Sequence, residues 1–131
     1  MISVNIKNLT KVYGNVHALD GLTMQVSPGS VFGFLGPNGA GKTTTLRILA
    51  GLAKASSGEV GMSEDQDTSA GKDWQSRIGY LPEEPAFYAW MSPREYLEYI
   101  GRIFKLGQPE RHRRVEHLLE QSGLKDVSKR R

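Results

Sequence analysis

Residues 36–43 read Gly-Pro-Asn-Gly-Ala-Gly-Lys-Thr, which fits the spacing G-x-x-x-x-G-K-[ST]. Glycines at these places let the backbone curl with its N–H groups turned inward, making a concave nest for an anion. A helix starting at the rim would aim its positive end at the same point. The flanks agree with that arrangement. Val31-Phe32-Gly33-Phe34-Leu35 has no polar alternation, as expected of a strand buried on both faces. From Lys42 onward, Leu46, Ile48, Leu49, Leu52 and Ala53 recur at helical spacing. The expectation is an α/β fold with strand, phosphate loop and helix in succession. Gly36, Pro37, Asn38, Gly39, Ala40, Gly41, Lys42, Thr43 and Thr44 form the candidate phosphate site. Lys42 is expected to reach the β- and γ-phosphates as a point charge, and the Thr43 hydroxyl to ligate magnesium.

The segments around the loop predict its setting. Before it, Ile2-Ser3-Val4-Asn5-Ile6 and Leu22-Thr23-Met24-Gln25-Val26 alternate apolar with polar residues. They are separated by the turn dipeptides Gly14-Asn15, Asp20-Gly21 and Pro28-Gly29, a pattern of antiparallel strands with one wet face. After it, Gly58 ends the helical unit and Glu59-Val60 suggests a short strand. Residues 63–71 read as a polar loop, and Arg77-Ile78-Gly79-Tyr80-Leu81 as a strand stopped by Pro82. Ser92-Pro93-Arg94-Glu95 predicts a helix start with a capping box. Tyr96, Leu97, Ile100, Ile103 and Phe104 form its apolar stripe, read as core, with Gly107 as its stop. A second helix is expected from about residue 109 to 122, with Val115, Leu118 and Leu119 inward and Gly123 ending it.

Composition removes several classes. The chain has 131 residues and no cysteine, which excludes disulfides, thiolate zinc sites and cysteine nucleophiles. No apolar run approaches the roughly 20 residues of a membrane span, and the N-terminus lacks the pattern of a signal peptide. The net charge of +3 is uneven: residues 1–101 hold 8 basic and 10 acidic side chains, residues 102–131 hold 9 and 4. That basic end reads as a solvated helix face, so nucleic acid is not expected as a partner. His17, His112 and His117 are expected at the surface. No Asn-Lys-x-Asp base-reading motif of GTPases occurs.

Taken together, the motifs resemble the ATP-binding-cassette (ABC) ATPase family. Leu9-Thr10-Lys11-Val12-Tyr13-Gly14 and Ala18-Leu19-Asp20-Gly21-Leu22 are similar to its first two strands. The loop through Leu46, then Ile48-Leu49-Ala50-Gly51-Leu52 and Ser57-Gly58, follows its wording. The resemblance implies that Tyr13 stacks on adenine and that Glu83, at the end of Ile78-Gly79-Tyr80-Leu81-Pro82-Glu83, takes the place of the Q-loop glutamine as a magnesium contact. A glutamate there, with Met91-Ser92-Pro93-Arg94-Glu95-Tyr96-Leu97, resembles the drug- and antibiotic-export subgroup. The expected cofactors are ATP and Mg2+. The expected partners are a transmembrane permease subunit and a second nucleotide-binding domain. The location implied is cytoplasmic, peripheral at the cytoplasmic face of the cell membrane through the permease.

The resemblance covers residues 1–131 as a partial nucleotide-binding domain. Residues 1–85 would be the antiparallel β-subdomain and phosphate-loop core of a P-loop NTPase, and 86–131 the start of the helical subdomain. Neither a Leu-Ser-Gly-Gly-Gln-like signature nor an apolar run ending in Asp-Glu occurs, so the chain is expected to be truncated before the signature motif. No catalytic residue is expected within it, and ATP would bind without turnover. Deletion of the Asp-Glu strand should also bare the edge of the segment at residues 31–35. Two alternatives remain: an ABC ATPase acting on ribosomes or nucleic acid, and a non-catalytic nucleotide-dependent interaction module.

Overall fold

The computed structural model describes residues 2–63, 78–85 and 87–130. Most of the polar loop expected over 63–71, and Arg77 at the start of one expected strand, lie outside the described residues. The chain divides into two compact units, Met1–Tyr80 and Leu81–Arg131.

The first unit is built on strands β1 (Ser3–Tyr13), β2 (Val16–Val26) and β3 (Ser57–Ser63), with helix α1 (Lys42–Leu49) following the loop. The sheet is antiparallel in the order β2-β1-β3. Gly14-Asn15 closes the β1–β2 hairpin, with Tyr13 opposite Val16. Ile6 and Leu9 are both essentially unexposed, although three residues apart on a strand whose side chains alternate faces. A register shift between them resolves the conflict. Asn8, at φ 48, takes up the irregularity; its N–H donates to Thr23 Oγ1 at 2.9 Å. Ile6 and Leu9 then join Leu19 and the α1 residue Ile48 in one buried cluster, rimmed by Val4, Leu22, Met24, Leu49, Ala53, Ala55 and Val60. Each fully buried aliphatic side chain there contributes roughly 1.5–3 kcal/mol.

Several local expectations are corrected here. Asp20-Gly21 is not a turn: β2 runs through it, and Gly21, at φ 67, sits in a bulge where its N–H donates to Thr10 Oγ1 at 3.1 Å. Gly58 does not lie outside the strand but within β3, its α-carbon pressed so close to Asn8 that a Cβ would stand 2.3 Å from the Asn8 carbonyl oxygen. Residues 31–35 form no strand, and burial on both faces fails: Val31 is fully exposed and Leu35 is 91% exposed. A two-sided strand needs a neighbour on each edge and a layer on each face. Among the described residues nothing pairs with this segment, so Val31, Phe32 and Leu35 stay in solvent and only Phe34 is half-buried. Residues 78–81 likewise form no strand: Ile78 and Tyr80 are half-buried, and Leu81 is 78% exposed.

The second unit is a helical hairpin, α2 (Pro93–Ile103) and α3 (Gln108–Gln121). The expected capping box is present: Ser92 Oγ accepts from the Glu95 N–H at 3.3 Å, and the Ser92 N–H donates to Glu95 Oε2 at 2.8 Å. Ser92 is buried, so Ser92→Ala would strand an N–H of the first turn. We expect a loss of about 1 kcal/mol, read from the urea midpoint of the helical signal. Two ion pairs join the helices, Arg94 with Glu116 and Arg111 Nε with Glu98 Oε2, the latter at 2.6 Å. The Arg94 hydrogen bond holds the Glu116 carboxyl below its ordinary value. That contribution is complete above the unfolded carboxylate's pKa and disappears as pH falls through the lowered one.

The stripe read as core is only partly so. Val115 and Leu119 of α3 are buried, but Ile103 and Phe104 are 57% and 73% exposed, and Gly101 alone is buried on α2. Besides α3, the Phe87 and Tyr88 rings pack on Tyr96 and Tyr88 also on Tyr99, but Ile103 and Phe104 at the end of the stripe stay wet. Lys105, rather than Gly107, stops α2: it adopts φ 55, and the Leu106 N–H then reaches the Gly101 carbonyl at 3.0 Å. Gly107 instead opens α3 as its N-cap. Gly123 ends α3 as expected, at φ 68. His17, His112 and His117 are all exposed.

Candidate functional site

The loop follows the irregular residues 31–35, turns over residues 38–40, and enters α1 at Lys42. The turn is tied by the Ala40 N–H donating to the Pro37 carbonyl at 3.2 Å. Gly41 is the N-cap of α1, at φ 82 and ψ 6. That left-handed conformation strains any residue with a Cβ. A second constraint acts there as well: a Cβ on Gly41 would stand 2.4 Å from both the Ala18 carbonyl oxygen and Leu19 Cδ2. The loop's last glycine is thus seated directly on β2, beside the core residue Leu19.

With a glycine at the cap, no side chain accepts from the first N–H groups of α1, and its first turn holds no acidic residue. The positive end of the helix is therefore unneutralised at the loop. Thr45, 1% exposed, locks the first turn behind it: its N–H and its hydroxyl both donate to the Gly41 carbonyl, at 2.9 and 3.0 Å. The sequence reading overlooked Thr45. Its place three residues before buried Ile48, on the inward face of α1, is the signal that could have found it.

Lys42 does not extend into solvent. Its Nζ donates to the Gly36 and Pro37 carbonyls at 2.6 and 2.7 Å, which closes the loop on itself and fixes the ammonium at the start of the loop. An ammonium has three N–H bonds, and these contacts use two. Thr43 is exposed and Thr44 half-buried on the first turn. Gly36, Pro37, Asn38, Gly39 and Ala40 are exposed around the rim. Residues 36–44 thus form one continuous stretch, a turn running into the first turn of α1, with the Lys42 ammonium held against its start.

Tyr13 lies at the end of β1 and is 50% exposed. It pairs with Val16, two residues along β2 from Ala18, where Gly41 is seated. That separation is about 7 Å along the strand, within the span of a nucleotide. Glu83 is exposed and falls in the second unit. Among the described residues no group of three or more His, Cys, Asp or Glu could hold a metal ion. A hard cation would have to take its ligands from hydroxyls, single carboxylates, water and a bound anion. No helix among the described residues is long and apolar enough to cross a membrane.

Comparison with known proteins places this loop in context. A family model described as ABC transporter matches residues 19–131. The bacitracin transport ATP-binding protein of Bacillus licheniformis is 36% identical, over 97% of this chain and 40% of its own length. A sulfate/thiosulfate import ATP-binding protein of Methylococcus capsulatus is 37% identical, over 91% of this chain and 35% of its own. A solved dimer of the ATP-binding cassette MJ0796, in a post-hydrolysis state with ADP and Pi, superposes with a TM-score of 0.74 at 26% identity, covering 96% of this chain and 60% of that one. The chain thus spans less than half the length of these two curated relatives.

Proposed function

The chain belongs to the ABC transporter family, and from that membership we propose that it carries the ATP-phosphate-binding part of a transport ATPase. One observation carries the reading. Gly41 is seated on β2 with an uncapped helix behind it, and the Lys42 ammonium is held by two loop carbonyls. The inward N–H groups and the end of α1 would take the phosphate oxygens, and the third N–H of Lys42 would bind the β–γ end. Tyr13 would stack on the adenine ring. Magnesium, when bound, neutralises developing charge on the phosphates; the Thr43 hydroxyl fits it as a hard oxygen donor, and Glu83 is the carboxylate we assign to it.

The chain would hold ATP without turning it over. Phosphoryl transfer to water needs an oriented nucleophile and a base. No apolar run ending in Asp-Glu occurs in the sequence to supply that base. Mg-ATP added to this chain should release phosphate no faster than buffer; release at the rate of a complete cassette would place the catalytic carboxylate within these residues.

The wider role we propose is export. A glutamate at position 83 and the wording of residues 91–97 support that direction, although relatives named for transport and for import are about equally similar. The partners would be a transmembrane permease and a second nucleotide-binding domain, and the site of action the cytoplasmic face of the membrane. Tyr88 and Trp90, with ring centroids 5.5 Å apart and both well exposed, form the surface we assign to the permease. A cysteine at Trp90 in the full-length protein should cross-link to a membrane permease. Cross-links confined to ribosomal or DNA-bound proteins would instead favour a non-transport ATPase.

A further inference from the structure

Lys11 lies two residues before Tyr13 on β1, on the same face of the strand. Its Nζ stands 4.6 Å from the centroid of the Tyr13 ring. The backbone of this pair is fixed from both sides. Lys11 pairs with Leu19 and Tyr13 with Val16 across the hairpin. On the other edge the Val12 N–H donates to Ser56 Oγ at 3.0 Å, and the Ser56 N–H donates to the Thr10 carbonyl at 2.9 Å. The ring itself is half exposed, so one face meets the cation while surface remains open to solvent.

We propose that Lys11 is a positioning residue for the nucleotide: its ammonium covers one face of the Tyr13 ring and leaves the other to the base. This rests on the reading of Tyr13 as the adenine platform. An aromatic ring is negative on both faces, so a cation on one of them holds the ring in place. A ring already held gives up less freedom when a base stacks on it. Covering one face also leaves a single stacking surface, hence a single position of the base relative to the loop. Stacking is tolerant of base identity, so Lys11 would act on any purine nucleoside triphosphate and not on a triphosphate without a base.

The test is calorimetric titration of Mg-ATP and of Mg-tripolyphosphate into the wild-type chain, Tyr13→Ala, Lys11→Met, Lys11→Arg and the Tyr13→Ala, Lys11→Met double variant. Tyr13→Ala should weaken ATP about fivefold or more and leave tripolyphosphate unchanged. Lys11→Met keeps the stem without the charge and should weaken ATP about two- to fivefold, again sparing tripolyphosphate. Lys11→Arg should restore it, and Lys11→Met should add nothing once Tyr13 is gone. If Tyr13→Ala leaves ATP binding intact, the platform reading fails and the role of Lys11 fails with it. If Tyr13→Ala weakens ATP while Lys11→Met leaves it unchanged, tightens it, or weakens it equally in the Tyr13→Ala background, Lys11 does not position the ring and the platform reading stands.

Discussion

Gly41→Ala should unfold the loop's seat on the sheet and abolish nucleotide binding with it. Two effects add at this residue. The left-handed conformation at φ 82 costs any residue with a Cβ about 1–2 kcal/mol. The new methyl would also stand 2.4 Å from the Ala18 carbonyl oxygen, a backbone atom fixed in β2 that cannot swing aside. To make room, α1 would have to lift from the sheet, opening the cluster that Ile48 shares with Leu19. A total loss of about 3 kcal/mol or more is expected, at the upper end for single substitutions. Gly39→Ala is the internal control. Gly39 has φ 84, but a Cβ there meets nothing within 4 Å, so only the conformational part should be lost. Thermal unfolding of the two variants should therefore separate them clearly; equal midpoints would mean that Gly41 is not pressed against β2.

What the sequence made legible was what short segments decide for themselves. The loop from Gly36 to Thr43, the start of α1, the capping box at Ser92 and Glu95, and the glycine stop at Gly123 each follow from a few adjacent residues. The failures share a cause in what lies beyond the segment. Residues 31–35 have the composition of a doubly buried strand, yet burial is conferred by neighbours, and no strand pairs with them among the described residues. Asp20-Gly21 reads as a turn, but a bulge opposite Thr10 uses the same left-handed glycine. Lys105 ends α2 in a conformation usually given to glycine, and nothing in its side chain announces that. The contact of Lys11 with Tyr13 was present as an i, i+2 pair but indistinguishable from any alternating strand. Of the candidate site, residues 36–44 form one turn and helix start, and Tyr13 lies at the end of the β1–β2 pair on which Gly41 is seated.

The second large effect is expected at Lys42. Its charge is the concentrated positive element of the loop, and two carbonyls fix where it stands. An ammonium about 4 Å from a phosphate charge, in surroundings of effective dielectric constant about 20, is attracted by about 4 kcal/mol before desolvation and lost hydration are counted. The net loss in Lys42→Ala should reach at least 1.4 kcal/mol, or tenfold in affinity. Lys42→Arg should recover little, because a planar guanidinium cannot place its donors on the Gly36 and Pro37 carbonyls as a compact ammonium does. The variant should fold, since Lys42 lies outside the buried cluster and donates only to exposed loop residues. Titration calorimetry of Mg-ATP into the wild-type chain and into Lys42→Ala is therefore the most direct test of the phosphate site. The expected result is saturable binding by the wild type, weakened tenfold or more by the substitution, with unchanged unfolding midpoints. Equal affinities for two folded proteins, or no binding by the wild type at millimolar ATP, would contradict it.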